Sequence, residues 1–324
     1  MTSLSLLFPG QGSQAPGMGK FLYSEFKIAK ETFEEGSEAI KVDMKKLCFD
    51  AAESDLALTE NTQPALLCVS TATQRVLRQE IPVKTSASAG HSIGEYAALV
   101  AAHSISFSHA MKAVRQRGQA MQSAVPKGKG GMCACLGLDP EQAKWLCEWT
   151  EKESGFSPVS PANFNSPGQI VISGSQKALD WLKLNFKPEL IPGSPKRAKI
   201  IPLNVSAPFH CALMEPAEKE MRQVLMAMDF KDAEFPIFQN VNAKPEKTAS
   251  LLRENLIRQI SASVLWTQSM EAMKAQNFFN MIECGHGQVL KGLLKKIDEK
   301  FKVYSLNSIE DLRNLEKDLK APAH

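Results

Sequence analysis

The 324-residue sequence predicts an α/β protein with a mainly parallel sheet and a smaller inserted unit. Three observations support this fold class. Strand-like and helix-like stretches alternate at both ends of the chain, which is typical of parallel strands covered by helices on both faces. The middle of the chain has a different order of elements. A glycine-rich turn at 90–94 lies where a predicted strand meets a predicted helix.

The N-terminal part begins with a short buried strand at residues 3–8, which leads into the turn-rich loop 9–14. Ligands of open α/β sheets bind beyond the carboxyl ends of strands, so this loop is either a wall of the site or a plain connection. Helices are predicted at 18–40, 59–79, 93–102 and 108–124, with the strand 84–89 before the third.

The middle of the chain is predicted to form a ferredoxin-like unit, because its elements follow the order β-α-β-β-α-β. Its predicted strands are 132–138, 158–164, 169–173 and 199–203, and its predicted helices are 139–153 and 175–186. We therefore divide the chain into a small subdomain, 127–204, inserted in a large catalytic subdomain, 1–126 and 205–324.

The C-terminal part returns to the alternating pattern. Its predicted strands are 236–241, 278–284 and 302–306. Its predicted helices are 250–260, 266–275, one that follows Gly285-His286-Gly287-Gln288, and a final one. We expect the strands to join the parallel sheet of the N-terminal part.

Composition excludes several classes of function. The net charge of +3, from 38 basic and 35 acidic residues, is too balanced to predict nucleic-acid binding. The apolar runs are too short to span a bilayer, and strand-like sequence from Leu4 leaves no room for a signal peptide. Seven scattered cysteines without C-x-x-C predict no disulfide framework, no zinc site, and a cytoplasmic location. No exposed heptad pattern is visible, so we expect a monomer.

The turn Gly90-His91-Ser92-Ile93-Gly94 matches G-x-S-x-G, the nucleophile elbow, in which a serine is exposed on a tight strand-to-helix turn. The alternative is a glycine-rich turn with an ordinary surface serine. As a nucleophile, Ser92 needs a base within hydrogen-bond reach. We favour His210, at the junction where the chain leaves the small unit, over His286, which precedes a helix.

No acidic residue between Ser92 and His210 is a convincing third member of a triad, so a pair oriented by a backbone carbonyl fits better. Acyl transfer also needs two donors for the oxyanion. The N–H of Ile93, which follows the serine, is one candidate, and Gln11 in the first glycine loop is the other.

One arginine occupies an unusual place in the predicted helix 108–124. Arg117 lies within the apolar stripe formed by Ala110, Val114, Gly118 and Met121, whereas Arg115 points away from it. A buried arginine is costly unless it is paired. It either forms an internal salt bridge or holds a carboxylate of the substrate.

Several segments together carry a family resemblance over nearly the whole chain. They are Phe8-Pro9-Gly10-Gln11-Gly12-Ser13-Gln14, Thr62-Gln63-Pro64-Ala65, Gly90-His91-Ser92-Ile93-Gly94-Glu95, Gln116-Arg117-Gly118, Asn163-Phe164-Asn165-Ser166-Pro167-Gly168-Gln169, Pro208-Phe209-His210 and Gly287-Gln288-Val289-Leu290. The chain resembles the malonyl-CoA:acyl-carrier-protein transacylases of type II fatty acid synthesis and the related acyltransferase domains of polyketide synthases.

The resemblance implies a hydrolase-like large subdomain and a role for each matching residue. The implied roles are Ser92 as nucleophile, His210 as base, Arg117 as clamp for the malonyl carboxylate, Gln11 and Ile93 as oxyanion donors, Gln259 as the residue whose carbonyl orients the histidine, Asn165 as pocket wall and Val289 as a neighbour of the acyl site. It also implies transfer of malonyl from malonyl-CoA to acyl carrier protein without a cofactor or metal.

Three features depart from the family's usual pattern. Phe209 stands where fatty-acid-type members often have a small residue, and it predicts malonyl over methylmalonyl selection by narrowing the pocket. His286 replaces a usual proline, and the loop 187–198 is longer than usual.

The resemblance also implies an acidic partner protein. A basic docking face is one interpretation of Lys196, Arg197, Lys199, Lys291, Lys295 and Lys296, and ordinary solvated side chains are the other. Two rival functions are a serine hydrolase or thioesterase, which needs an acid partner and has no use for Arg117, and a non-catalytic acyl-CoA-binding protein.

Overall fold

The computed structural model describes residues 3–195 and 197–320. The strands in the described part are β1 (Ser3–Phe8), β2 (Lys84–Gly90), β3 (Gly130–Leu136), β4 (Val159–Ser166), β5 (Gln169–Ser175), β6 (Lys199–Pro202), β7 (Ile237–Phe238), β8 (Pro245–Glu246), β9 (Asn280–Glu283) and β10 (Lys302–Ser305).

Helices connect and cover these strands. They are α1 (Lys20–Glu25), α2 (Lys27–Ile40), α3 (Met44–Phe49), α4 (Glu53–Leu56), α5 (Thr59–Glu80), α6 (Gly94–Ala101), α7 (Phe107–Ser123), α8 (Pro140–Ser154), α9 (Gln176–Asn185), α10 (Glu215–Met226), α11 (Ala249–Arg258), α12 (Trp266–Ala275), α13 (Val289–Ile297) and α14 (Ile309–Lys320).

The main sheet has the strand order β10-β9-β1-β2-β7-β8. All neighbouring pairs are parallel except β7 and the edge strand β8. The predicted mainly parallel sheet is therefore confirmed. Because β1 and β2 lie side by side at its centre, the loop after Phe8 and the turn after Gly90 reach the same edge.

Apolar side chains of β1 enter the cores on both faces of this sheet. Leu4, Leu6 and Phe8 pack with α5, α6 and α7 on one face, whereas Leu7 packs on the other with Trp266 of α12. Burial of alternate side chains on opposite faces is the expected consequence of the two-residue period of a strand.

A second sheet has the order β4-β5-β3-β6, and all of its pairs are antiparallel. With α8 and α9 it encloses a core of its own, which includes Cys133 and Cys135 as small buried side chains. This separate antiparallel sheet has the predicted ferredoxin-like element order. We propose that 127–204, the range predicted from the sequence, is the extent of this subdomain. Hydrogen bonds between Phe164 N and Val264 O, at 3.0 Å, and Val264 N and Ala162 O, at 2.8 Å, join β4 to the segment before α12.

The structure differs from the sequence prediction most clearly in the following elements. The predicted helix 18–40 is divided at Phe26, whose backbone is extended. Helices α3 and α4 were not predicted, because six and four residues are too few to show a helical period. The predicted strand 236–241 is only the two-residue β7, since the backbone N–H of Asn240 and the side chain of Gln239 donate to the buried carboxylate of Glu95.

Candidate active site

The turn between β2 and α6 is as tight as its glycines allow. Ser92 has a φ of 52°, a conformation that a non-glycine residue adopts only where its surroundings impose it. A Cβ atom on Gly90 would lie 2.0 Å from the carbonyl carbon of Gly94, and one on Gly94 would lie 2.1 Å from the carbonyl oxygen of Phe8. These contacts leave room only for glycine on each side of Ser92.

Ser92 and His210 lie in direct contact. Ser92 Oγ is 2.7 Å from His210 Nε2, and His210 Nδ1 is 2.9 Å from the main-chain oxygen of Gln259. A carbonyl accepts only, so Nδ1–H donates to it and Nε2 is left to accept the serine proton. Burial, reinforced by the nearby charge of Arg117, lowers the pKa of His210 to about 3. The imidazole is therefore neutral at neutral pH and able to act as a base.

Among the residues that the structure describes, neither the alternative base nor an acid partner contacts this pair. His286 is half-buried and does not line the cavity at Ser92. The nearby carboxylate of Glu95 accepts hydrogen bonds from Gln239, Asn240 and Gln259, and none from His210. The pair thus differs from a hydrolase triad, in which a carboxylate binds the histidine.

Arg117 is 1% exposed and lies beside the serine. Its Nη2 is 3.2 Å from Ser92 Oγ and 2.9 Å from Gln259 Oε1, and its guanidinium lies 5.8 Å from the ring centroid of Tyr96. Within residues 3–195 and 197–320 it forms no ion pair, and its Nε has no hydrogen-bond partner. The structure therefore does not contain the internal salt bridge that was one of the two interpretations. The guanidinium of Arg117 remains available to a bound anion.

A cavity of about 320 Å³ opens over Ser92 and Arg117. Gln11 and Ile93 line it on the side of the two central strands. For the described part of the chain, neither of their backbone N–H groups donates a hydrogen bond to the protein. Two free donors at the nucleophile are what an oxyanion requires.

The second sheet contributes the opposite wall of the cavity. Asn165, in β4, lines it, and Asn165 Oδ1 accepts a 2.8 Å hydrogen bond from His91 Nε2 on the elbow. Phe209, only 7% exposed, also lines it beside the base. Val289 does not line this cavity: it is 44% exposed at the start of α13.

Sequence reasoning missed a layer of polar side chains behind the nucleophile. Asn240 Oδ1 accepts from the backbone N–H of Ser92 at 2.7 Å, and Asn240 Nδ2 donates to Gly90 O at 2.7 Å. The Gln259 side chain donates to Ser92 O at 2.9 Å. The available signal was Glu95 directly after the elbow, an acidic residue in an otherwise apolar helix.

The exposed basic residues Arg197, Lys199, Lys291, Lys295 and Lys296 lie on the surface, and Lys296 Nζ donates to Gln169 Oε1. Lys196 lies outside the described residues. Over the described ranges, no helix is long and apolar enough to cross a membrane, and no cluster of three or more His, Cys, Asp or Glu side chains is arranged to hold a metal ion.

Known proteins resemble this chain over nearly its whole length. The acyl transferase domain family matches residues 6–321. A malonyl CoA-acyl carrier protein transacylase of Bacillus subtilis is 40% identical over 312 residues, which cover 96% of each protein. The solved structure of the corresponding transacylase of Coxiella burnetii has a TM-score of 0.92 and 35% identity, covering 98% of each chain.

A second solved structure contains a malonyl-transacylase in complex with a type II PKS acyl-carrier protein. It has a TM-score of 0.90 and 38% identity, covering 98% of this chain and 100% of that one. The chain therefore belongs to the acyl transferase domain family and, within it, to the malonyl CoA-acyl carrier protein transacylases.

Proposed function

We propose that this protein transfers the malonyl group of malonyl-CoA to the phosphopantetheine thiol of acyl carrier protein through an ester on Ser92. The observation that carries the proposal is the buried guanidinium of Arg117, which lies 3.2 Å from the serine oxygen and forms no direct ion pair among the described residues. An acyl group with a free carboxylate meets this charge in a forked, charge-assisted hydrogen bond, whereas an acetyl group does not.

In the first half-reaction, Ser92 Oγ attacks the thioester carbonyl while His210 Nε2 takes the hydroxyl proton. The N–H groups of Gln11 and Ile93 hold the resulting oxyanion, each donor contributing ~3 kcal/mol to lowering the barrier. The C–S bond then breaks, and the CoA thiolate leaves with the proton from His210. Malonyl-Ser92 remains, with its carboxylate on Arg117.

The second half-reaction repeats the steps with a different thiol. His210 takes the proton of the phosphopantetheine thiol, the sulfur attacks the malonyl ester, and the oxyanion occupies the same two donors. Ser92 leaves and recovers a proton from His210. The chemistry is ping-pong covalent catalysis, in which CoA is a substrate carrier and no cofactor is required.

The acyl carrier protein is proposed as the partner because relatives are named for it and one was solved bound to it. Exposed Arg197, Lys199, Lys291 and Lys295 offer positive charge to an acidic carrier. We also propose a cytoplasmic location, supported by seven free, buried thiols.

Intact mass after incubation with malonyl-CoA tests the proposal. We expect a malonyl-sized gain that is lost in Ser92→Ala and that moves to acyl carrier protein when the carrier is added. Free malonate without transfer would instead indicate a hydrolase, and no adduct or turnover would leave only binding. Either result overturns the proposal.

A further inference from the structure

Glu95 is a completely buried carboxylate that the proposed reaction does not use. It is the second residue of α6, directly behind the nucleophile turn. Oε1 accepts from Gln239 Nε2 at 2.8 Å, and Oε2 accepts from Asn240 N and Gln259 Nε2, each at 3.0 Å. All of these partners are donors, and they come from two separate segments that follow β7 and α11.

Two of these donors belong to residues that hold the elbow. Asn240 binds the backbone N–H of Ser92 and the carbonyl of Gly90. The Gln259 side chain binds the carbonyl of Ser92, and the Gln259 main chain binds His210. The positive φ of Ser92 is therefore fixed from both sides by residues that meet at Glu95.

Glu95 is also connected to Arg117 through one side-chain amide. Gln259 Oε1 accepts from Arg117 Nη2 at 2.9 Å, while Gln259 Nε2 donates to Glu95 Oε2. The amide separates the two buried charges, so the guanidinium has a counter-charge without being occupied by a direct ion pair.

We propose that Glu95 is the positioning residue of this site: its carboxylate fixes Gln259 and Asn240, which in turn hold Ser92, His210 and Arg117 in their reacting arrangement. The inference rests on the proposed function for the substrate, but the placement of Ser92 and His210 can be tested without that substrate. Glu95 itself touches no reacting atom.

Three substitutions of Glu95 distinguish the effect of its side-chain length from the effect of its charge. Glu95→Ala removes the carboxylate that accepts from Gln239 Nε2, Asn240 N and Gln259 Nε2. Glu95→Asp keeps the charge but is one methylene too short to reach all three. Glu95→Gln loses the charge and keeps the reach, because Gln239 Oε1 is buried without a partner and a rotated Gln239 amide can accept from the new NH₂.

The rate of Ser92 acylation in a single turnover is the first measurement. We expect Glu95→Ala and Glu95→Asp to lower it ~100-fold, the size of effect that a small misplacement of reacting groups produces. Glu95→Gln loses less than about tenfold, comparable to one weakened hydrogen bond. Thermal melts establish that each variant is folded at the assay temperature, and Glu95→Asp carries the test if the alanine variant does not fold.

Reaction with phenylmethylsulfonyl fluoride is the second measurement, since it needs Ser92 and His210 but neither Arg117 nor CoA. The serine oxygen bonds to sulfur, fluoride leaves, and His210 takes the proton. We expect the wild type and the three variants to rank in the same order as in the reaction with malonyl-CoA.

Different failures point to different conclusions. A wild-type protein that reacts with the sulfonyl fluoride but not with malonyl-CoA overturns the proposed function alone. Folded Glu95→Ala or Glu95→Asp with wild-type rates, or Glu95→Gln as slow as Glu95→Ala, overturns the positioning role. A loss confined to malonyl-CoA overturns it as well, because Glu95 then acts only on the charge of Arg117.

Discussion

The Nδ1 atom of His210 lies 2.9 Å from the main-chain oxygen of Gln259, so a neutral carbonyl orients the base. A carbonyl fixes the tautomer as a carboxylate does, but it adds no negative charge to stabilise an imidazolium. Arg117 on the other side adds a positive charge instead. A proton taken from Ser92 is therefore held weakly and passes readily to the leaving thiolate.

Substituting the base tests this arrangement. We expect His210→Ala to lower the rate of malonyl-Ser92 formation by ~10²–10⁴, the usual contribution of a positioned base. His286→Ala is the matched control, because this half-buried histidine lies outside the cavity. Equal losses in the two variants, measured by quenched intact mass, would contradict the assignment of His210.

The identity of the cation at position 117 should decide which acyl group is used. Arg117→Lys keeps the charge but replaces a planar fork with a single ammonium, so we expect kcat/KM for malonyl-CoA to fall ~10–100-fold. Acetyl-CoA has no acyl carboxylate to contact residue 117, so its low kcat/KM should change little. Competition between the two thioesters, followed by mass, measures the ratio.

Arg115→Lys is the control for that experiment. Arg115 is on the same helix but donates to Glu60 O and Asn61 Oδ1 near the surface. An equal loss of malonyl selectivity in both variants would show that the effect arises from α7 as a whole rather than from a contact with the substrate.

The sequence predicts those parts of the site that have a local pattern. The elbow at Ser92 has a short motif with a known backbone shape, and Arg117 is visible as a charge in an apolar stripe. The structure brings both to His210. In contrast, the bonds from Glu95 to Asn240 and Gln259 join residues 145 and 164 positions apart. Side-chain amides have no periodic signature. The pairing of β7 with β2 brings Asn240 to the elbow, and the end of α11 brings Gln259 there.

Local patterns also determine which parts of the fold are predictable from the sequence. Long periodic helices such as α5 and α7 and the apolar strand β1 were predicted nearly to the residue, because local period and burial agree. The two-residue β7 was predicted too long, because its continuation is decided by the distant Glu95 rather than by its own pattern.

Stability should depend on pH through Glu95. Burial raises its pKa from 4.5 to about 7, against the opposing effects of Asn240, Gln259 and Arg117. Between pH 4.5 and about 7, the folded chain therefore keeps the Glu95 proton that the unfolded chain has lost. The stabilising contribution is fully present below pH 4.5 and is lost as the pH rises through 7.

Glu95→Gln removes this dependence. We compare the free energy of unfolding of the variant with that of the wild type at two pH values. The difference, variant minus wild type, should be more positive at pH 8 than at pH 4.5 by up to ~3 kcal/mol. Urea unfolding at the two pH values measures this. Burial also raises the pKa of Glu283, but this residue is present in both proteins, so its contribution cancels in the difference. An identical difference at both pH values would contradict the assigned shift.

The elbow should not tolerate a methyl group at Gly94. Its added Cβ would lie 2.1 Å from Phe8 O, in the backbone of the central strand, so we expect Gly94→Ala to destabilise the fold by ~3 kcal/mol or more. Gly292 in α13 has open space around its Cβ position. Gly292→Ala should therefore be neutral or stabilising by up to ~1 kcal/mol. Thermal melts of the pair check the contrast, and similar melting temperatures would contradict it.

The size of the side chain before the base should decide whether a branched acyl group is accepted. Phe209 is almost fully buried in the cavity wall, next to His210. We expect a methyl branch at C2 of the acyl group to need the space that this ring fills. Phe209→Ser should raise kcat/KM for methylmalonyl-CoA relative to malonyl-CoA by at least ~10-fold, the discrimination that one methyl group in an apolar pocket supports.

The change in the ratio, not in either rate alone, carries this prediction. Phe209→Ser also loosens the segment that holds His210, so both rates can fall together, whereas only removal of a steric block favours the branched substrate. Phe209→Tyr keeps the ring and should keep the wild-type preference. Equal use of both thioesters by the wild type would contradict the role of Phe209, because the ring would then not be excluding the branch.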